Sequence, residues 1–414
     1  MPWFSQMLHS NSLAKRYLRL LWRRLPRSAR DRLAGLILGK LVPVAAPNQP
    51  NKYPVIVVGY LRSASGVGSA ARACHDALRS SGIQVFGIDL TARLGTAVDH
   101  PAFNFRDGRD VQEGTVLLHV AGLHVPFALL FLGRNYLKKK KVIAHWFWEL
   151  PRVPRNWNLA ARCVHEIWVN TRFVAQAVRP IAGNKPVHVV PYPLKPIHVA
   201  RRAFHIRPSG HPFTVLVVFN VASNFTRKNP CAAIAAFKQA FDDDFDTRLI
   251  VKHARADTWP ESLRQMELAV DGAENITLIG DTITDQDMSD LYDQADVVMS
   301  LHRSEGLGLI LAEAMQREIP VVATNWSGNV DFFDSDVGIP IGFDLVPVED
   351  PQDFYRDKGV VWAEPRINEA VDALRILKAD EALRARLGQA AAGRIAAMYS
   401  PKQYVRFVRS AFSS

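Results

Sequence analysis

Short, continuously apolar runs recur along this chain, each separated from the next by a segment of helical character. "VIVVGY" (55–60), "IQVFGIDL" (83–90), "TVLLHVAG" (115–122), "KVIAHWFW" (141–148), "EIWVN" (166–170) and "VHVVPYP" (187–193) form a first series. "PFTVLVVFN" (212–220), "TRLIVKH" (247–253), "NITLIG" (275–280), "ADVVMS" (295–300) and "IPVVAT" (319–324) form a second. Strands without polar alternation are buried on both faces, and only a parallel sheet covered by helices on both sides does that. Two such series in 414 residues read as two Rossmann-like, doubly wound α/β domains in tandem. The expected division is a basic arm and linker over 1–50, a first domain over 51–205 and a second over 206–385. Terminal helices over 386–414 are expected to pack back across the junction. Ligand sites in such a pair lie where the carboxyl ends of the two sheets face each other.

The net charge of +11 is concentrated at one end: residues 1–47 hold nine Lys or Arg against Asp31, leaving only +3 for the rest. Lys15, Arg19 and Arg23 share a helical face, Leu13, Tyr17, Leu20 and Leu21 another, with Trp3, Phe4 and Trp22 as interfacial aromatics. A basic amphipathic helix of this kind suits an anionic membrane surface, contacted through residues 1–40. A solvated or interdomain helix and an Arg-rich transit peptide are the alternatives. No run of 18 apolar residues occurs, so no span of a bilayer is expected. A nucleic-acid binder would carry its charge on the folded face, which these domains do not. Cys74, Cys163 and Cys231 are widely spaced and odd in number, which argues against disulfides or a zinc site and for a reducing compartment. "KKKK" (138–141) and "DDDFD" (242–246) read as solvated element ends.

The chemistry concentrates in "SLHRSEGLGLILAEAMQREIPVVATNWSGN" (300–329), where Glu305 and Glu313 stand among apolar residues and Gly. Buried carboxylates are costly unless something pairs with them. The pattern reads strand, loop, helix: Gly306 and Gly308 let backbone approach a ligand closely, and the free N–H groups of the next helix suit a diphosphate. Two carboxylates flanking an anion site accept hydrogen bonds from hydroxyls on either side of it. A nucleotide sugar has that layout, which leaves both carboxylates incompletely paired until it arrives.

The segment "EGLGLILAEAM…IPVVAT…SGN" resembles the E-x7-E signature of family-4 retaining glycosyltransferases, whose fold is GT-B. The resemblance implies that Glu305 contacts the donor sugar, that Gly306, Leu307, Gly308 and Leu309 contact the diphosphate, and that Glu313 contacts the ribose. "FNVASNFTRKNPCAAIAAF" (219–237) is similar to the family's basic element, placing Lys228, with Arg227 beside it, on the leaving diphosphate. Preorganised cations there stabilise charge that grows in the transition state. "VIAHWFWELPRVPRNW" (142–157) resembles the "WYWE" segment of bacterial polysaccharide transferases; His145 is the nearest match to a functional His, with Glu149 and Trp146 as alternatives. "EIWVNTRFV" resembles a strand followed by a Ser-led helix, with Asn170–Thr171 in the place of the Ser. Together these matches run from about Tyr53 to the C-terminus.

In the first domain "GVGSAA" (66–71) is a G-x-G-x-x-A string, with Asp89 about twenty residues on. Taken alone it is a dinucleotide fingerprint, which makes an NAD(P)-dependent oxidoreductase the rival class. Gly66, however, comes six residues after Tyr60, later than such a fingerprint begins. The family resemblance instead assigns Gly66 and Gly68 to a loop bordering acceptor and donor phosphates. A catalytically inactive transferase-like binding module is the third class. The resemblance implies transfer without a metal or other cofactor, and the Asp244/Asp246 and Asp334/Asp336 pairs read as surface or capping acids. The expected enzyme is a GT-B hexosyltransferase of the cytoplasm, peripheral on the inner membrane face. Its donor is GDP-mannose or a UDP-hexose, its acceptor a saccharide or polyprenyl-linked saccharide, and its pathway surface-polysaccharide synthesis.

Overall fold

The computed structural model describes residues 39–44, 49–197, 210–242, 244–280, 283–355, 357 and 359–413. The basic arm at 1–38 lies outside the described residues. The first sheet contains β1 (Val55–Gly59), β2 (Val85–Asp89), β3 (Gly114–His119), β4 (Lys140–Trp146), β5 (Glu166–Val169) and β6 (Val187–Val189), in the order β2-β1-β3-β4-β5-β6. Every pairing in it is parallel. β1 and β3 are buried at every position, as an uninterrupted apolar run requires.

The second sheet contains β7 (Phe213–Asn220), β8 (Thr247–Ala254), β9 (Ile276–Ile279), β10 (Val297–Ser300), β11 (Val321–Thr324) and β12 (Ile339–Ile341), in the order β12-β11-β10-β7-β8-β9. It too is parallel throughout. A two-stranded antiparallel hairpin, β13 (Phe343–Pro347) with β14 (Val361–Pro365), is added beside it. The strand order reverses between β1 and β3 in the first sheet and between β7 and β10 in the second. Such reversals open a crevice at the carboxyl ends, so the loops after β7 and β10 are where the topology puts a ligand.

Helix ends follow local chemistry. Thr284 and Asp287 form a reciprocal capping box on the helix Asp285–Gln294. Asn229 adopts a left-handed conformation (φ 54°) and Pro230 occupies the first turn of the helix Pro230–Phe241, so the "NP" of "RKNP" is a helix start. The helix Glu381–Met398 buries Leu387, Ala391 and Ile395 in the second domain. The next helix, Pro401–Ser413, crosses to the first domain and buries Tyr404, Val405 and Val408 with Leu61, Ala71 and Cys74. The lysine run departs from the expected solvated end. Lys138 and Lys139 are exposed, but Lys140 begins β4 and is buried, its ammonium donating to the carbonyls of Gln112 (3.0 Å) and Tyr136 (2.7 Å) over the Tyr136 ring. Lys141 pairs with Glu166.

Two glycines of one helix separate packing from propensity. A Cβ at Gly388 would stand 2.0 Å from the Glu318 carbonyl oxygen, whereas one at Gly393 meets nothing within 4 Å. Gly388→Ala should lower the melting temperature through a clash costing about 1–3 kcal/mol. Gly393→Ala should leave it unchanged or raise it, since Ala gains up to about 1 kcal/mol in a helix interior. Thermal unfolding of the two variants side by side checks the pair.

Candidate donor site between the domains

The loops after β7 and β10 meet at the switch point of the second sheet. After β7 the chain turns at Asn224 (φ 77°) and enters a single helical turn, Phe225–Lys228. Asn224 is buried; its side-chain oxygen accepts from the Arg227 N–H (2.8 Å) and its amide donates to Asp350 (2.6 Å). Arg227 then lies almost entirely inside the protein at 2% exposure, donating to the carbonyls of Ser304 (2.6 Å) and Ser223 (2.7 Å). Burial works against its charge, but Tyr355, Glu305 and Glu149 around it outweigh that and push its pKa above the ordinary arginine value. Arg227 is thus a strut joining the two loops rather than a cation facing the crevice.

Lys228 keeps part of its side chain in the open and reaches the same loop. Its ammonium donates to Oε1 of Glu305, and an Arg227 Nη lies 3.1 Å from that oxygen. Burial alone would raise the Glu305 carboxyl, but Lys228 and Arg227 overcome it and hold the group at about 2. Burial lowers the Lys228 ammonium, and Glu305 pulls it back toward the charged form. Glu305 is therefore ionised and paired before any ligand arrives, which corrects the expectation of an incompletely paired carboxylate. Its own N–H donates to Ser327 Oγ (2.8 Å), and its carbonyl accepts from Gly328 N–H (2.8 Å).

Two glycines here are required by the protein's own packing. A Cβ at Gly306 would meet the carbonyl oxygen of Trp148 at 2.7 Å, and one at Gly328 would meet the carbonyl oxygen of Gly306 at 2.1 Å. Gly308 takes φ 90° and precedes the helix Leu309–Gln316 without a side-chain cap, so the first N–H groups of that helix face the crevice end unclaimed by a side chain. Leu307 is 4% exposed and packs in a cluster that also takes Ala70 and Tyr192 from the first domain. Any ligand contact it makes is through its backbone. Glu313 is a little over one turn into that helix, half-buried, and accepts from the Tyr292 hydroxyl (3.1 Å). Burial raises its pKa, with Tyr292 and Arg317 opposing.

The first domain closes over these loops. Ser304 Oγ donates to the Glu149 carbonyl, Thr171 Oγ1 donates to the Gly306 carbonyl (2.9 Å), and Arg172 pairs with Asp331 (3.2 Å). Thr171 also caps its own helix by accepting from Val174 N–H, the role expected of a leading Ser. The Tyr355 hydroxyl reaches Glu149 at 3.4 Å. His145 does not line the crevice as expected. It is fully buried between the rings of His119 and Phe147, with Nε2 on Asn170 (3.0 Å), and burial takes its pKa down to about 4. Gly66 is exposed at the start of the helix Gly66–Ser80, capped by Ser65, and Gly68 lies against the carbonyls of Ser63 and Tyr60. Oδ1 of Asp89 accepts from the Arg62 and Thr91 N–H groups and from the Thr91 hydroxyl. Asp244 and Asp334 pair with Lys378 and Arg394 and accept from the N–H groups of Asp246 (3.0 Å) and Asp336 (3.0 Å), as acids in surface turns do.

His302 escaped the sequence reading. It is buried between Ser300 (3.0 Å) and Asn329 (3.1 Å), and the Asn329 amide donates to Thr324 O (2.9 Å), turning its oxygen toward the imidazole. That fixes the floor under the Glu305 loop. A His two residues beyond the end of an apolar strand was the available signal.

Residues 202–394, the second domain, match the family model of glycosyl transferases group 1. No curated protein matches the sequence. Among solved structures, sucrose-phosphate synthase from Thermosynechococcus elongatus has a TM-score of 0.61 at 16% identity, over 88% of this chain and 100% of that one. HepE of Anabaena, solved with UDP and glucose, has 0.59 at 13%, over 87% and 100%. TarM of S. aureus, solved with UDP, has 0.52 at 15%, over 73% of this chain and 55% of that chain, so this protein spans about half the length of TarM. At these identities the likeness is one of fold, and that fold is GT-B. The family match and the fold together support a glycosyltransferase.

The Glu305 carboxyl, depressed below its unfolded value, contributes stability that is complete above about pH 4.5 and lost as pH falls toward about 2. Glu305→Gln should therefore destabilise the protein at pH 7 by several kcal/mol, because Lys228 loses its partner. The difference from the parent protein should shrink through that acid window, as chemical denaturation at stepped pH would record.

Proposed function

We propose that this protein is a family-4-type retaining glycosyltransferase that moves a hexose from a nucleoside diphosphate sugar to a saccharide or lipid-linked saccharide. The observation that carries the reading is the Lys228–Glu305 pair at the switch point of the second sheet, followed by the uncapped helix that starts at Leu309 and bears Glu313. The leaving nucleoside diphosphate gains charge as the glycosidic bond to it breaks, and Lys228 with the helix N–H groups stabilises that charge. Glu305 accepts from sugar hydroxyls and Glu313 from the ribose. Because Glu305 holds Lys228 in the free protein, donor binding exchanges partners: the diphosphate takes the ammonium and releases the carboxylate to the sugar. Arg227 supports this by holding both loops in place. His145, being buried, acts at most through the strand it stabilises. Glu149, which faces Tyr355 and the basic pair, stands on the acceptor side.

The solved neighbours carrying UDP make UDP-hexoses the first donors to test, with GDP-mannose second. Transfer through these residues needs no metal in this reading. The concentration of nine basic residues in the arm supports docking on an anionic inner leaflet, where a polyprenyl-linked acceptor of surface-polysaccharide synthesis lies. Loss of sedimentation with anionic vesicles on removing residues 1–40 is the check on that part.

A thermal-shift panel of UDP-, GDP- and dTDP-sugars with NAD(P) as control tests the function. Stabilisation by one nucleotide-sugar class is expected, and stabilisation by NAD(P) alone contradicts the proposal. Glu313→Gln should weaken the donor by about tenfold or more while leaving the empty protein as stable or more so, because a buried carboxyl is relieved. Unchanged donor affinity in that variant overturns the ribose assignment.

A further inference from the structure

A second cluster of reactive side chains lies in the first domain, apart from the donor loops. Cys74 comes from the helix Gly66–Ser80, His119 from the end of β3 and His145 from β4, and all three are fully buried. The thiol sulfur and one ring nitrogen of each His lie within 4.8 Å of one another. Both ring nitrogens of His119 lack a hydrogen-bond partner, and so does Nδ1 of His145. The Tyr404 hydroxyl, on the helix that crosses from the second domain, is buried in the same core cluster as Cys74 and interacts with its thiol. Polar atoms buried without partners are rare, and here several converge on one place.

The surroundings fix the tautomer of one of these rings. The Asn170 amide donates to the Val190 carbonyl (2.9 Å), which turns its oxygen toward His145. Nε2 of His145 must then carry the proton, which leaves Nδ1 with an unshared lone pair. An outer partner that fixes a ring and its tautomer is the arrangement metal-ligating histidines use. Gly59 makes the packing possible, since a Cβ there would stand 2.1 Å from the His119 carbonyl oxygen.

We propose that Cys74, His119 and His145 form a binding site for a single thiophilic d10 cation, Zn²⁺ or Cu⁺, with the fourth position beside Tyr404. One sulfur and two imidazole nitrogens suit such ions, and the absence of a carboxylate from the set disfavours Ca²⁺ and Mg²⁺. Binding replaces the Cys74 S–H bond by a sulfur–metal bond and releases one proton to solvent, with no change of oxidation state. The ion ties the helix Gly66–Ser80 to β3 and β4, next to the crossing helix, and plays no part in transfer. The proposal stands or falls independently of the donor reading.

The test uses the tag-free full chain, depleted of metal and then given Zn²⁺, Cu⁺ under reducing anaerobic conditions, or Co²⁺ as a spectroscopic stand-in for zinc. About one ion per chain retained after desalting is expected, with a higher melting temperature and, for Co²⁺, a thiolate charge-transfer band. Retention of Cu⁺ but not Zn²⁺ assigns the site to copper, and the converse to zinc. Cys74→Ser should remove the band and weaken binding by about tenfold or more, whereas Cys231→Ser should change neither. Far-UV circular dichroism confirms that each variant is folded; if Cys74→Ser is not, the band and stoichiometry of the parent protein decide. Substoichiometric retention of every ion, or a band that survives in folded Cys74→Ser, overturns the site.

Discussion

The ion pair between Lys228 and Glu305 joins the two loops on which the donor site depends. Each partner comes from the carboxyl end of a strand, β7 or β10, and the two strands are neighbours only because the sheet reverses direction between them. Arg227 reinforces the junction through the Ser304 carbonyl, and Arg303 adds an ion pair to Glu364 and a bond to the Thr226 carbonyl. A charge pair this buried is weak evidence for stability, since desolvation offsets most of the attraction. It makes better sense as a poised site. The cation has a carboxylate to hold until a phosphate replaces it, so neither charge is left bare in either state.

The first domain packs directly on these loops instead of merely facing them. Thr171 caps one helix and donates across the junction to Gly306, while the Trp148 carbonyl rests where a side chain at 306 would stand. Trp148 and Leu150 pack with Val360, Trp362 and Tyr355 from the region of the β13–β14 hairpin. The helix Pro401–Ser413 adds a second tie far along the chain, with Asn51 donating to the Ala411 carbonyl (2.7 Å) and Phe407 packing on Trp168. Any relative motion of the domains works against these named contacts.

Much of this was legible in the sequence. Apolar runs without alternation specified two parallel sheets, and the E-x7-E and "RKNP" segments fell at their switch point, where the topology alone would place a ligand. The capping box at Thr284 and the helix start at Pro230 were local and therefore readable. What sequence could not supply was long-range pairing. Nothing near Glu305 announces that Lys228, 77 residues earlier, already holds it. The close approach of the Trp148 carbonyl to Gly306 could not be read because Trp148 is distant in the chain, and Lys140 looked solvated because its acceptors come from Gln112 and Tyr136. The three cysteines, widely spaced and odd in number, argued against a zinc site; the pairing of β3 with β4 is what brings His119 and His145 together beside Cys74.

The central claim is that the donor diphosphate and Glu305 compete for Lys228. Calorimetric titration of UDP into the parent protein and into Glu305→Gln, at neutral pH, tests it most directly. Removing the competing carboxylate should strengthen UDP binding several-fold, while transfer from the nucleotide sugar falls by orders of magnitude. If UDP binds Glu305→Gln more weakly than it binds the parent protein, the exchange of partners at Lys228 is contradicted.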